Sequence, residues 1–144
     1  MDKFRTALAF DYGRKRIGVA TGQELAATTK PLATIQVANN KPDWAHIERL
    51  MKEWQPNVLI IGLPMNMDGT EHEMSKAARR FSKQLHGRFG LPIELVDERL
   101  TSIEAEEIIT EARRSGRIKR SKSKTSIDQV AAEIILKNWL ETAH

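Results

Sequence analysis

The hydrophobic pattern of the first third of the chain predicts three short strands. Apolar positions run from Thr6 to Phe10 and stop abruptly at Asp11, and β-branched and small residues follow from Arg16 to Thr21. A third segment, from Thr28 to Ile35, contains Pro31, which confines it to a sheet edge or a bulge. Because the connections between them are short, the three segments are expected to form an antiparallel meander.

Beyond the meander, apolar residues at helical spacing alternate with two continuous apolar runs. Such runs are typical of parallel strands that are covered on both faces and entered through a crossover helix. The first predicted elements here are a helix opened by residues 39–42 with Trp44 and Trp54 on its inner face, a strand Val58–Leu63 and a helix capped by Thr70 and Glu73. A strand Leu91–Val96 and a helix capped by Thr101 and Glu104 follow. The final helix is capped by Ser126 and Gln129 and has Trp139 in the core. The pattern therefore predicts an α/β fold with a mixed sheet, in one domain covering residues 1–144.

The composition narrows the class of protein. A chain of 144 residues suits one domain. On folding, a domain of this size buries about 68–70% of the surface that the unfolded chain exposes, so it needs no disulfide or structural metal to be stable. Cysteine is absent, which excludes thiolate zinc sites and cysteine nucleophiles and fits a reducing compartment, and the four histidines show no ligand-like pairing. No apolar run approaches the roughly 20 residues of a membrane span, and the start of the chain does not resemble a signal peptide. We therefore expect a soluble, cytoplasmic protein with no membrane partner.

The positive charge of the chain is concentrated in one internal segment. Residues 113–124, RRSGRIKRSKSK, contain seven cations and no acid, so the rest of a chain whose net charge is +4 carries a balance of −3. A charge run is often only a solvated segment. One that lies between two helical patterns favours a polyanion as partner.

Three groups of acids are notable for their positions relative to the predicted elements. Asp11 follows the first strand, Asp97 and Glu98 follow the last strand, and Asp128 lies in the first turn of the final helix. In open sheets with parallel strands, ligands bind at the carboxyl ends of the strands. Two of the three groups therefore lie where a ligand site is expected.

Each acid also has a purely structural interpretation. Asp11 could accept hydrogen bonds within its own turn, and Asp128 could be favoured there by the positive end of the helix dipole. Asp97 and Glu98 are neighbours in a strand, so their side chains point to opposite faces and only one of them can meet Asp11. The residues alone leave these alternatives open.

Four motifs resemble one known family. The segments AFDYGRKRIGVA, IIGLPMNMDGT, VDERLT and SIDQVAAEIIL are similar, in order and spacing, to the YqgF (RuvX) family of ribonuclease-H-like nucleases, over Leu8 to Glu141. The resemblance implies a five-stranded ribonuclease-H-like sheet flanked by helices, and a nuclease that uses divalent metal. The family is described as maturing the precursor of 16S ribosomal RNA, and also as Holliday-junction-type DNA resolvases, a role that rests on fold kinship rather than on these residues.

The resemblance also implies which residues act. Asp11 matches the first-strand acid, Glu98 the middle of the DER motif and Asp128 the acid of the last helix, and together they would hold a two-metal site for Mg²⁺ or Mn²⁺. Carboxylate oxygens are the hard ligands that these cations prefer. Cations beside the acids or in the basic segment are expected to contact phosphate: Arg14, Lys15, Arg16, Arg99, Arg117, Lys119, Arg120 and Lys122.

Two other functions share parts of this pattern. A ribonuclease-H-like domain that binds nucleic acid without cutting it would keep the fold and the basic segment, but retention of all three acids argues against it. Asp11-Tyr12-Gly13 also resembles the opening of actin-like ATPases, which need a second such domain that a chain of this length lacks. RNA is the favoured partner and structured DNA the alternative, and we expect a monomer or a weak homodimer.

Overall fold

The computed structural model describes residues 5–66, 68–97 and 123–142, with side chains of the last range described over 127–141. Within these ranges the chain forms six strands and three helices. In chain order they are β1 (Thr6–Asp11), β2 (Arg16–Gln23), β3 (Thr28–Ala38), β4 (Lys41–Pro42), α1 (Trp44–Trp54), β5 (Val58–Leu63), α2 (Glu73–Phe89), β6 (Ile93–Asp97) and α3 (Ser123–Thr142). The helix predicted after Thr101 lies outside the described residues.

One mixed sheet organises these elements, with the strand order β4-β3-β2-β1-β5-β6. Strands β1, β2 and β3 pair antiparallel, which confirms the predicted meander. Strand β5 runs parallel to both β1 and β6, as its continuous apolar sequence predicted. The carboxyl ends of β1, β5 and β6 therefore meet at one edge of the sheet, which we call the carboxyl edge.

The sheet has six strands rather than the expected five. Residues 39–42 form a tight turn and a short strand, not the predicted start of a helix. Asn39 and Asn40 both have positive φ angles, 52° and 62°, a conformation that asparagine tolerates better than most residues. The turn brings Lys41 and Pro42 back to pair with β3. The first helix then begins at Trp44, and the side chain of its cap, Asp43, accepts a hydrogen bond from the backbone N–H of His46 at 3.2 Å.

The start of α2 also differs from the predicted capping residues. Thr70 is held by Asp68, whose Oδ1 accepts from the Thr70 backbone N–H at 2.9 Å and from its hydroxyl at 2.6 Å. His72 caps the helix instead, in a reciprocal capping box with Ser75. Helix α3 begins at Ser123, three residues before the predicted cap at Ser126. The errors at α2 and α3 move only the boundaries of these two helices.

Two apolar layers cover the two faces of the sheet. The layer under α1 and α2, which we call the α1/α2 layer, contains large side chains from every central strand and from both helices: Leu8, Phe10, Ile17, Val19, Ile35, Ile47, Leu59, Ile61, Phe81 and Leu85. Phe10 meets Phe81 edge to face, with ring centroids 5.7 Å apart. Trp44 and Trp54 are partly buried against this layer, in keeping with their predicted inward orientation.

The opposite layer, which we call the α3 layer, is built differently. The sheet contributes Ala7, Ala9 and Ala20 beside Val58 and Ile60, and α3 contributes Ala132, Ile135, Leu136 and Trp139. Small residues on the sheet let the helix lie close to the strands, and Trp139 is buried there as predicted. Among the described helices, none has the length and apolar character needed to span a membrane.

Candidate metal and nucleic-acid site

Asp11 is the last residue of β1 and lies at the carboxyl edge of the sheet. Side chains alternate between the two faces of a strand, and the buried residues of β1 follow this rule. Leu8 and Phe10 belong to the α1/α2 layer, whereas Ala7 and Ala9 belong to the α3 layer. Asp11 therefore projects on the α3 side of the sheet.

Asp128 reaches the same place because Gly18 lets the backbone of α3 approach the sheet. A Cβ atom on Gly18 would overlap the carbonyl oxygen of Asp128 and lie 3.0 Å from the backbone nitrogen of Gln129. Gly18 is the Cα partner of Asp11 in the β1–β2 pairing. The first strand and the last helix thus bring Asp11 and Asp128 together over one glycine.

Hydrogen bonds farther along α3 hold the helix in this position. The Gln129 amide donates from Nε2 to the Thr34 hydroxyl at 3.0 Å. One helical turn later, the Thr29 hydroxyl donates to Glu133 Oε2 at 2.7 Å. Both partners belong to β3, so α3 is fixed to the meander without help from the two acids.

Asp97 lies at the carboxyl edge on the other side of the sheet. It is the register partner of Leu63, and both Leu63 and Ile93 contact the α1/α2 layer. Val96, one residue earlier, contacts the α3 layer. Asp97 therefore does not share a face with Asp11. Glu98 and Arg99 lie outside the described residues, so their roles stay predictions.

The three cations after Asp11 have different surroundings. Arg14 forms an exposed ion pair with Glu73 at the start of α2, 2.9 Å from Nη2 to Oε2. Lys15 is exposed. Arg16 donates from Nε to Asp128 Oδ2 at 2.9 Å, and both side chains are 24% exposed. The structure thus adds Arg16 to the acid site itself, a contact between residues 112 positions apart that no local sequence signal could reveal.

The start of α2 borders this edge of the sheet with further charged residues. Arg79 donates from Nε to Glu71 Oε1 at 2.9 Å, and this hydrogen bond lowers the pKa of the Glu71 carboxyl below its ordinary value. Glu71 is thus held in its ionised form by Arg79. The remaining predicted phosphate contacts, Arg117, Lys119, Arg120 and Lys122, lie outside the described residues.

The described part of the site fits a divalent cation by its chemistry. Asp11 and Asp128 supply carboxylate oxygens on one face, which are the ligands that Mg²⁺ and Mn²⁺ prefer. Arg16 places its positive charge beside the Asp128 carboxylate. Over residues 5–66, 68–97 and 123–142, no group of three or more histidine, aspartate or glutamate side chains could hold a metal. Glu98, the third acid that the motif resemblance implies, lies outside these ranges.

Comparison with known proteins identifies relatives over nearly the whole length. Residues 5–142 match the family RuvX, described as "Holliday junction resolvase". A protein of Pectobacterium carotovorum subsp. carotovorum named "Putative pre-16S rRNA nuclease" is 47% identical over 142 residues, 99% of each chain. A protein of Aeromonas salmonicida with the same name is 49% identical over 137 residues, 95% of each chain.

Solved structures share the fold at low sequence identity. RuvC of T. thermophilus in complex with a Holliday junction substrate superposes with a TM-score of 0.56 at 12% identity, covering 95% of both chains. The fowlpox virus resolvase bound to Holliday junction DNA gives 0.57 at 15% identity, covering 96% of this chain and 98% of its own. These likenesses confirm the predicted ribonuclease-H-like fold. The extent of the family match and the identity to its relatives show that this chain belongs to the RuvX family.

Proposed function

We propose that the protein is a divalent-metal-dependent nuclease that hydrolyses phosphodiester bonds in the precursor of 16S ribosomal RNA. The observation that carries this proposal is the convergence of Asp11 and Asp128 over Gly18 at the carboxyl edge of the sheet. Relatives at 47% and 49% identity bear the name of a pre-16S rRNA nuclease. They make ribosomal RNA the favoured substrate class.

The three acids would share the work of binding the metal. Asp11, Glu98 and Asp128 would together hold the divalent cations through their carboxylate oxygens. Divalent cations bound there would stabilise the charge on the attacking and leaving oxygens of an in-line displacement at phosphorus. The protein contributes carboxylates whose backbones are fixed by strand pairing and by the docking of α3, so little reorganisation is needed when the substrate arrives.

Cations around the carboxyl edge would position the nucleic acid. Arg14 and Lys15 are exposed directly after Asp11, where a phosphate next to the reacting one would pass. The contact would be extended along the nucleic-acid strand by Arg99, Arg117, Lys119, Arg120 and Lys122. Contacts of this kind fix the register of the substrate without reading its sequence.

A Holliday-junction-type DNA resolvase is the second candidate function. The observation in its favour is the fold shared with two junction-bound resolvases. At 12% and 15% identity this likeness concerns the fold alone, and fold does not decide the substrate. RNA therefore stays the primary proposal.

The test compares three substrates with one preparation of the protein. Precursor 16S rRNA fragments, unstructured single-stranded RNA and a four-way DNA junction are incubated with Mg²⁺ or Mn²⁺, and cleavage is measured. We expect cleavage of the precursor RNA and its loss in Asp11→Asn with binding retained. Asp97→Asn should lower cleavage less than Glu98→Gln does. Cleavage by Asp11→Asn near the wild-type rate would contradict the metal site, and preferential cutting of the junction would favour the second candidate.

A further inference from the structure

We propose that Arg16 is the counter-ion of Asp128 in the metal-free protein and that it gives up this carboxylate when a divalent cation binds. The inference rests on the proposed function, because it concerns the metal that the acids would hold. It assigns to Arg16 a role in metal loading that is separate from any contact with phosphate.

Arg16 occupies the position where a cation is needed when metal is absent. It is the first residue of β2, and it lies on the same face as Gly18, which is the Cα partner of Asp11. Its guanidinium therefore lies on the face of the sheet that carries Asp11 and Asp128. Two carboxylates that share a partly buried site repel each other, and the ion pair from Arg16 to Asp128 reduces that repulsion.

The contact between Arg16 and Asp128 is of an exchangeable kind. A single N–H reaches a single carboxylate oxygen at 2.9 Å, and both side chains are 24% exposed. Arg5 and Glu24 form the contrasting case, with two parallel hydrogen bonds of 2.8 and 2.6 Å and a Glu24 side chain only 8% exposed. Bidentate pairs are the stronger ones, and partly exposed single pairs contribute little to stability. A divalent cation can therefore replace Arg16 at small cost.

Asp128 does not depend on Arg16 for its position. The backbone of α3 is fixed by its contact with Gly18, by the hydrogen bond from Gln129 to Thr34, and by the hydrogen bond from Thr29 to Glu133. A permanent orienting partner would strengthen metal binding, as the outer partners of metal ligands usually do. A counter-ion competes with the metal instead. The two roles predict opposite signs when Arg16 is removed.

The first experiment measures Mn²⁺ affinity by calorimetry for the wild type, Arg16→Gln and Arg79→Gln. Arg79 is the matched control, because its Nε also donates to a carboxylate at 2.9 Å, but from α2, which packs on the face of the sheet opposite to Asp11 and Asp128. We expect Arg16→Gln to bind Mn²⁺ about two- to fivefold more tightly, the range expected for loss of a weak competing ion pair. Arg79→Gln should match the wild type. Equal or weaker binding by Arg16→Gln would overturn the proposal.

The second experiment observes the ion pair directly. Nitrogen-15 NMR of arginine side chains resolves Nε–H signals, and the Arg16 signal is assigned by its disappearance in Arg16→Gln. Saturating Mg²⁺ should shift the Arg16 signal, because its acceptor Asp128 is taken by the metal. The Nε–H signals of Arg5 and Arg79, which bind Glu24 and Glu71, should stay in place. An unmoved Arg16 signal would refute the displacement.

A third variant separates this inference from the proposed function. Asp11→Asn should lose Mn²⁺ binding if the acids hold metal at all. Binding that depends on Asp11 but is indifferent to Arg16 would remove the counter-ion role and leave the nuclease proposal standing. Absence of Mn²⁺ binding in the wild type would overturn both.

Discussion

The two faces of the sheet bury apolar residues in different ways. The α1/α2 layer presents large side chains such as Leu8, Phe10 and Phe81, whereas the α3 layer presents Ala7, Ala9 and Ala20 to a closely docked helix. Large side chains remove apolar area from water, at about 25 cal/mol for each Å². Small ones bury less area but let two backbones touch, so a residue on the helix takes its position from the sheet. One face stabilises the fold and the other places a carboxylate.

The largest effect on stability is expected from the α1/α2 layer. Leu85 is fully buried on α2, near the end of the helix that lies away from Glu73 and the carboxyl edge. Leu85→Ala should lower the free energy of unfolding by about 2–5 kcal/mol, the usual range for a buried leucine. Cleavage per folded molecule, measured well below the unfolding transition, should stay close to the wild-type value. A large loss of activity in the folded variant would show that this layer also positions the site.

The α3 layer should respond in the opposite way. Gly18→Ala introduces a Cβ where the Asp128 carbonyl oxygen lies, and overpacking of this kind costs about 1–3 kcal/mol. The helix must shift to relieve the clash, and a displacement of about 1 Å near the chemistry can lower the rate roughly 100-fold. Urea unfolding and cleavage of precursor RNA measure the two effects side by side.

Gly22 supplies the control for this variant. A Cβ there would lie 2.5 Å from the Thr28 carbonyl oxygen and 2.8 Å from Leu136 Cδ2, so it also crowds α3, but at the other end of β2. Gly22→Ala should lower stability with little effect on cleavage. If both variants lost activity alike, docking of the whole helix would matter rather than the local position of Asp128.

The smallest change in stability is expected at Gly87, where an added side chain has open space. Gly87 lies within α2 and is exposed, and among the described residues a Cβ on it would meet no atom within 4 Å outside its own stretch of helix backbone. Gly87→Ala should raise the free energy of unfolding by about 0.5–1 kcal/mol, because alanine loses less backbone freedom in a helix. Urea unfolding checks this, with cleavage unchanged. A loss of stability would mean that the difference between Gly18 and Gly87 does not come from their surroundings.

Periodicity and chain order were sufficient to predict most of the fold. The continuous apolar sequence of β5 indicated a strand buried on both faces, and all six of its residues are buried. Strand β4 was missed because two residues carry no periodicity, and because the Asn39–Asn40 turn resembles the polar start of a helix. The cap of α2 was misplaced because Thr70 satisfies its hydrogen bonds with Asp68 rather than with the helix.

Local sequence patterns predicted individual residues of the candidate site but not the contacts between distant segments. The end of a strand pointed to Asp11, and the resemblance of the motifs pointed to Asp128 and Glu98. The part played by Gly18 was missed, although small residues at Gly18, Ala20 and Gly22 alternate with large ones on β2 and mark a face that a helix can approach. The pairing of Arg16 with Asp128 depends on how distant segments dock, which no local pattern encodes.

The approach of α3 to Gly18 also sets the earliest time at which Asp128 can join Asp11 during synthesis of the chain. Arg16 and Asp128 are 112 residues apart, and at about 5–20 residues per second a ribosome needs roughly 5–20 s to travel from one to the other. During that interval the nascent chain can pair β1 with β2 and make α1 and α2, but it has no α3 to cover the face of the sheet that carries Asp11. The contact between Arg16 and Asp128 can therefore form only after α3 has been synthesised, and under the proposed function the metal site can be completed no earlier.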